Sequence, residues 1–173
     1  MKLTKKLTLA SLFVAIGVIF SGFSIPIGFA KVFPIQHMIN LLGGVLLGPL
    51  YSVLIAFVTS VIRVSMGTGT LLAFPGSMFG ALLVGLLYHR SHRLSLALIG
   101  EVVGTGLIGA LIAYPVALYL MGREVAMIAY LIPFSLSSFA GAIVGYIGLR
   151  VLLHTPLGRA FHMEYKVNHT SEE

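Results

Sequence analysis

Gln36, His37 and Asn40 stand close together in a chain otherwise dominated by leucine, isoleucine, valine, alanine and glycine. Their spacing of i, i+1 and i+4 places Gln36 with Asn40, and His37 with Asn40, on roughly one face of a helical turn. Two amides and an imidazole so arranged offer hydrogen-bond donors and acceptors without fixed charge, which is the chemistry of binding. The plainer reading is that they cap and tie down the proline-containing stretch before them. A second set lies in Gly67–Ser77, Gly-Thr-Gly-Thr-Leu-Leu-Ala-Phe-Pro-Gly-Ser, with Arg63 just ahead of it. Where a chain leaves regular helix at membrane depth, the freed backbone is tolerated only if protein buries it or it lines a watery cavity. The stretch therefore reads either as a plain loop between helices or as one wall of a binding site. Arg63 is the first charge after Lys31, and a cation near the bilayer has to snorkel, pair or face a polar cavity. A third set is Glu101 and Thr105, one helical turn apart, with Tyr114-Pro115 further along. Glu101 is the only acidic residue between Met1 and Gly122, and a carboxyl group in an apolar helix requires a partner or a function.

The elements that must carry these residues follow from composition. Of 173 residues, 58% are hydrophobic and 9% charged, and the mean hydropathy is +1.03. A soluble domain carries about 25% charged residues, so this is an integral membrane protein. Its length matches one bundle of about six helices of roughly 20 residues each. No aspartate and no cysteine occur, which excludes disulfides, thiolate metal sites, cysteine nucleophiles and aspartate-based catalysis. Neither a Gly-x-x-x-x-Gly-Lys-Ser/Thr nor a His-Glu-x-x-His motif is present, so any use of ATP belongs to other subunits. His89 and His92 lie in the basic run His89–Arg93 without partner ligands nearby, and no metal, cofactor or catalytic residue is expected. The net charge of +6 is scattered over helix ends, a topology signal rather than a nucleic-acid surface.

In chain order, Lys2, Lys5 and Lys6 precede a first helix from Leu7 to about Phe23. It resembles a signal peptide, but no cleavage site follows and the remaining chain is equally apolar. Ser11 and Ala15 lie four apart on it, a small-residue face that allows close approach of another helix, although an Ala- and Gly-rich chain also produces such pairs by chance. Ser24–Pro34 reads as a bent apolar connection or re-entrant segment. Further helices are expected from about Ile35 to Gly48, Leu50 to Ser65, Phe74 to Tyr88, Leu94 to Met121 and Val125 to Leu153. Residues 1–153 thus form a single all-α, six-helix transmembrane domain, and 154–173 a polar tail. Placing both termini in the cytoplasm gathers Lys2, Lys5, Lys6, Arg90, Arg93, Arg150, Arg159 and Lys166 on the inner side and leaves Lys31, Arg63 and Arg123 outside, as the positive-inside rule requires. The proline-rich connection, the Gly67–Ser77 break and the Gly122 turn then share the outer side, and a pocket built from them opens outward.

Lys31–Asn40 (Lys-Val-Phe-Pro-Ile-Gln-His-Met-Ile-Asn), Gly67–Thr70 with Ala73–Ser77, and Gly100–Gly106 (Gly-Glu-Val-Val-Gly-Thr-Gly) together resemble the ThiW family. These are substrate-capturing S components of energy-coupling-factor (ECF) vitamin transporters. The resemblance implies a six-helix fold in the prokaryotic cell membrane and an outward-facing site for the thiamine precursor hydroxyethylthiazole. It also implies partnership with a transmembrane coupling protein driven by two cytoplasmic ATPases. In S components an Ala-xxx-Ala motif of the first helix contacts the coupling protein; the matching positions here are Ser11 and Ala15. The expected ligand site comprises Gln36, His37, Asn40, Arg63, Thr68, Gly69, Thr70, Phe74 and Ser77, with Glu101, Thr105 and Tyr114 approaching from the fifth helix. Such a set, rich in hydroxyl, amide and imidazole groups and poor in charge, suits a small neutral heteroaromatic alcohol. The competing readings are an S component for another thiamine-related or vitamin-like molecule, an intramembrane enzyme using His37 and Glu101 as acid and base, and a purely structural membrane subunit.

Overall fold

The computed structural model describes residues 1–27, 30–124 and 126–155. Six helices account for nearly all of them: α1 (Leu3–Ile19), α2 (Pro34–Leu47), α3 (Pro49–Ser65), α4 (Ala73–Ser91), α5 (Leu94–Leu120) and α6 (Ile128–His154). The polar tail beyond Thr155, with Arg159 and Lys166, lies outside the described residues, as does Val125 at the expected start of the last helix. Among the described residues three spans are long and apolar enough to cross a membrane: α1 with the 3₁₀ turn Phe20–Gly22, α5 and α6. α2 and α3 are apolar but shorter. At 1.5 Å per residue the 14 residues of α2 reach about 21 Å, less than the roughly 30 Å of a hydrocarbon core.

Prolines set the helix starts. Pro34 and Pro49 open α2 and α3, where a missing N–H costs nothing and the fixed φ is already helical. Between those two helices Gly48 takes φ +89, a value reserved for a residue without a Cβ, and the chain reverses with no further linker. The same rule corrects the expected break at Gly67–Ser77. Only the stretch up to Leu72 is irregular, and Phe74, Pro75, Gly76 and Ser77 already belong to the first turn of α4, in which a proline nitrogen is tolerated. The segment expected as a bent connection after α1 is instead an antiparallel ribbon, β1 (Ile25–Ile27) paired with β2 (Ala30–Val32), with Pro26 opposite Lys31. Pro26 and Pro34 forbid a continuous helix there, and a two-stranded ribbon has only edge strands, where proline is acceptable.

α2 is the central element, packed against α3, α4 and α6; α4 in turn packs against α3 and α5, and α5 against α6. α1 sits at the periphery on α2 and α3, burying only Phe13 and Gly17 fully. Apolar clusters hold the two ends. Leu41, Val45, Val84, Tyr88, Ala97 and Leu149 close one end of the bundle, while Ala110, Ala117 and Tyr130 join α5 to α6 at the other. Between them the helices approach so closely that glycine is needed at the crossings. A Cβ on Gly104 of α5 would lie 2.6 Å from the Phe79 carbonyl oxygen and 2.7 Å from the Gly80 Cα of α4. α5 is also not uniform: Val102–Gly109 and Val116–Leu120 are wound as π-helix, the second directly after Pro115. Widened turns of this kind recur beside functional side chains, and the first begins immediately after Glu101.

Backbone contacts of this kind cannot relax around a side chain. Gly104→Val should destabilise the protein by at least about 1–3 kcal/mol, the cost of overpacking. Gly148→Ala, with nothing within 4 Å of the added Cβ, should be neutral or slightly stabilising. Thermal unfolding of both variants in detergent compares the two positions directly, and equal midpoints would contradict the tight α4–α5 crossing.

Candidate functional site

Glu101 is wholly buried, at 0% exposure. Its Oε1 accepts three hydrogen bonds: from His37 Nδ1 at 2.8 Å, from Asn40 Nδ2 at 3.1 Å and from Thr105 Oγ1 at 2.9 Å. A carboxylate only accepts, so the imidazole donates through Nδ1–H. The π-helical winding after Glu101 keeps Thr105, four residues on, on the same side of α5 as the carboxyl group. Asn40 also donates to the Ser77 carbonyl at 3.0 Å, which ties α2 and α5 to the first turn of α4. Room for the carboxyl group exists because residue 80 is glycine; a Cβ there would meet Glu101 Oε2 at 2.6 Å and would collide with Thr105 Oγ1. Gly141 of α6 does the same for His37, whose Cβ lies 2.6 Å from the position a Gly141 Cβ would take.

Above this knot a cavity of about 410 Å³ opens between the ends of α2, α3, α4 and α6. Gln36 and His37 line it from α2, and Arg63 from the last turn of α3. Gly67, Thr68, Gly69 and Thr70 line it from the α3–α4 turn, and Ala73, Gly76 and Ser77 from the first turn of α4. The turn is held by the Arg63 carbonyl, which accepts the Thr68 and Gly69 N–H groups, and by Thr68 Oγ1, which accepts from Ser21 Oγ at 3.1 Å. Ser77 Oγ donates to the Ala73 carbonyl at 2.8 Å, and Ser60 Oγ of α3 reaches the same carbonyl at 3.2 Å. Phe33 N donates to Ser137 Oγ at 2.6 Å, fastening the start of α2 to α6.

Of the residues singled out in the sequence, Gln36, His37, Arg63, Thr68, Gly69, Thr70 and Ser77 share this one cavity. Asn40, Glu101 and Thr105 do not line it; they form the buried knot behind His37. Phe74 and Tyr114 stand apart from both. The α4 residues Ala73, Gly76 and Ser77 follow the i, i+3, i+4 pattern of one face, which turns Phe74 onto Phe57 of α3, ring centroids 5.7 Å apart. Tyr114 packs with the Ala110–Ala117–Tyr130 cluster. Sequence reasoning passed over Lys31 and Phe33 on the approach to α2, Arg123 in the turn after α5, and Tyr130, Pro133, Phe134 and Ser137 on α6, all of which line the cavity. On α6 the signal was available, because 130, 133, 134 and 137 carry an aromatic-and-polar stripe at helical spacing. For Arg123 the charge pattern placed its turn on the same side as Lys31 and Arg63, and the structure brings its side chain to the cavity as well.

Three buried polar atoms on cavity-lining residues have no hydrogen-bond partner: Gln36 Oε1, Arg63 Nε and Tyr130 OH. Arg63 is 4% exposed and its guanidinium carbon sits 4.3 Å from the centre of the Phe33 ring, a cation–π contact. Among the described residues no group of three or more His, Cys, Asp or Glu side chains is arranged to hold a metal ion.

A helical bundle with membrane-length apolar spans, enclosing a ligand-sized cavity lined by polar side chains at one end, defines a membrane protein that handles a small molecule. The profile of the thiamine-precursor transporter protein (ThiW) family matches residues 7–155. The chain belongs to that family, and is a thiamine-precursor transporter. No curated protein and no solved structure matches it.

The knot makes a stability prediction independent of any ligand. Glu101→Ala leaves the donors of His37, Asn40 and Thr105 without their acceptor inside the bundle, at about 1–3 kcal/mol for each orphaned group. Glu101→Gln keeps one acceptor oxygen and should lose roughly 1 kcal/mol. Thermal unfolding in detergent should rank wild type above Gln and Gln well above Ala; equal stability of Gln and Ala would mean that the carboxyl group does not organise these helices.

Proposed function

We propose that this protein is the substrate-capturing S component of an ECF-type uptake system in a prokaryotic cell membrane, and that its ligand is the thiazole precursor of thiamine, hydroxyethylthiazole. The observation that carries the reading is one cavity of about 410 Å³ lined by Gln36, His37, Arg63, Thr68, Thr70, Ser77 and Tyr130, of which Gln36, Arg63 and Tyr130 each also hold a buried polar atom without a partner. Burying polar groups without partners costs on the order of 1–3 kcal/mol each, which a ligand supplying an acceptor and donors would recover. The volume falls in the range of small-molecule sites, roughly 300–1,000 Å³, and the aromatic rings of Phe33, Tyr130 and Phe134 provide apolar walls for a flat heterocycle. His37 acts as the floor, oriented from behind by Glu101.

In this reading both termini face the cytoplasm and the cavity opens outward, because the three cations left on the outer side by the charge pattern, Lys31, Arg63 and Arg123, are the three that line the cavity. Translocation is driven by a transmembrane coupling protein and two ATPases. The periphery of α1 supports such a partner: Phe13 and Gly17 face inward, while Ser11 and Ala15 are exposed on the other side, where a second helix can approach closely.

Isothermal titration of the purified protein with hydroxyethylthiazole, without ATP, should give sub-micromolar affinity. Tight binding of intact thiamine with no heat from hydroxyethylthiazole would replace the substrate. Ser11→Trp or Ala15→Trp should weaken capture of the coupling protein in a pull-down and leave ligand affinity unchanged; loss of both would place that face inside the fold's own packing.

A further inference from the structure

We propose that the cavity receives an oxyanion, so that the ligand is taken in a form carrying a phosphate monoester or carboxylate as well as its ring. The inference rests on the reading of this cavity as the ligand site and goes beyond it in assigning the charge of what binds. From the sequence the site is poor in charge. Folded, it holds three cations, Lys31 from β2, Arg63 from α3 and Arg123 from the turn after α5, and among the described residues no carboxylate lines it. The one acidic side chain at the site, Glu101, is turned to the far side of His37 and spends Oε1 on His37, Asn40 and Thr105. Glu124, beside Arg123 in sequence, is exposed and does not line the cavity.

Arg63 is the decisive residue. Lys31 and Arg123 are exposed and can serve water as well as a ligand, but Arg63 is 4% exposed, lines the cavity, and has a buried Nε with no partner. Among the described residues no carboxylate forms an ion pair with it. Its charge is retained by other means: the Phe33 ring lies against one face of the guanidinium, and its position in the last turn of α3 sets it at the negative end of that helix. These contacts fix the plane and leave the N–H edge unspent. A guanidinium edge matches two oxygens of a phosphate or carboxylate at once, which an ammonium cannot do. The first turn of α4, contributing Ala73, Gly76 and Ser77 to the same cavity, brings the positive end of a second helix toward the same space. The same cavity is also lined by the uncharged side chains of Tyr130, Phe134 and Gln36, which are left for the ring.

The experiment is a set of titrations of the full-length protein in detergent with four probes: hydroxyethylthiazole, its phosphate monoester, the analogue whose hydroxyethyl arm is replaced by carboxymethyl, and ethyl phosphate. An oxyanion site predicts that at least one of the two anionic thiazoles binds tenfold or more tighter than the neutral alcohol, with an affinity that falls as salt rises. Which of the two does so separates phosphate from carboxylate. Arg63→Gln should remove that preference, lowering the affinity for the anion at least tenfold more than the affinity for the neutral alcohol, and Arg63→Lys should retain part of it. Arg123→Gln, at an exposed position, should flatten the salt dependence and weaken anion binding at low salt by less than Arg63→Gln does, with an unchanged thermal midpoint that guards against misreading a folding defect. Binding of the neutral alcohol equal to or tighter than both anions overturns the oxyanion site and leaves the thiazole reading intact. Arg63-dependent binding of ethyl phosphate without binding of any thiazole does the reverse. No binding by any probe removes both.

Discussion

Everything in the functional half of this molecule depends on how one carboxyl group is held inside an apolar bundle. A glutamate in a membrane helix is costly unless the fold answers it, and here three donors from two helices converge on a single oxygen of Glu101. The answer has structural consequences. To reach Glu101, His37 and Asn40 must sit on the α5-facing side of α2, and residue 80 of α4 must lack a side chain. α6 must also come close enough to His37 that only glycine fits at 141. One polar knot thus sets the mutual distances of four helices, and the cavity lies at one end of it, between the ends of α2, α3, α4 and α6.

The arrangement separates two kinds of polar group that look alike in sequence. Asn40 and Thr105 are spent on Glu101 Oε1 and hold the bundle together, whereas Gln36, Arg63 and Tyr130, which line the cavity, each keep a buried atom without a partner, as Glu101 does at Oε2 away from the cavity lining. His37 stands between them, lined up from behind by Glu101 and open to the cavity in front. A substitution in the first group therefore acts on the cavity through the position of His37, and one in the second changes its lining directly.

The irregular parts of the chain serve the same end. The β-ribbon after α1 lifts Lys31 and Phe33 to the cavity, and the α3–α4 turn folds back over the end of α3, so that Arg63 has its charge at the ring of Phe33 and its carbonyl under the turn. In a membrane such backbone survives because it is turned to a polar space instead of lipid. α1 stands outside this system. It contributes nothing to the cavity lining and buries little of itself.

By itself the sequence determined the membrane class, the six helices to within a few residues at most ends, and the three polar clusters. Each of these is local: hydrophobic run length, proline and glycine placement, and polar residues at helical spacing are written in consecutive residues. The ThiW-like motifs, Lys31–Asn40, Gly67–Ser77 and Gly100–Gly106, belong to the same legible layer. What only the tertiary structure decided is which of those polar residues meet. Nothing in the spacing of Glu101 says that its partner is His37, sixty-four positions away, or that Arg123 and Tyr130 share a cavity with Lys31. Helix phase turned Phe74 and Tyr114 into packing residues, and close glycine crossings pulled Asn40 and Thr105 into the interior. The physical reason is that a helix presents different faces every hundred degrees, and which face is answered by a neighbour depends on crossings made with residues far away in the chain.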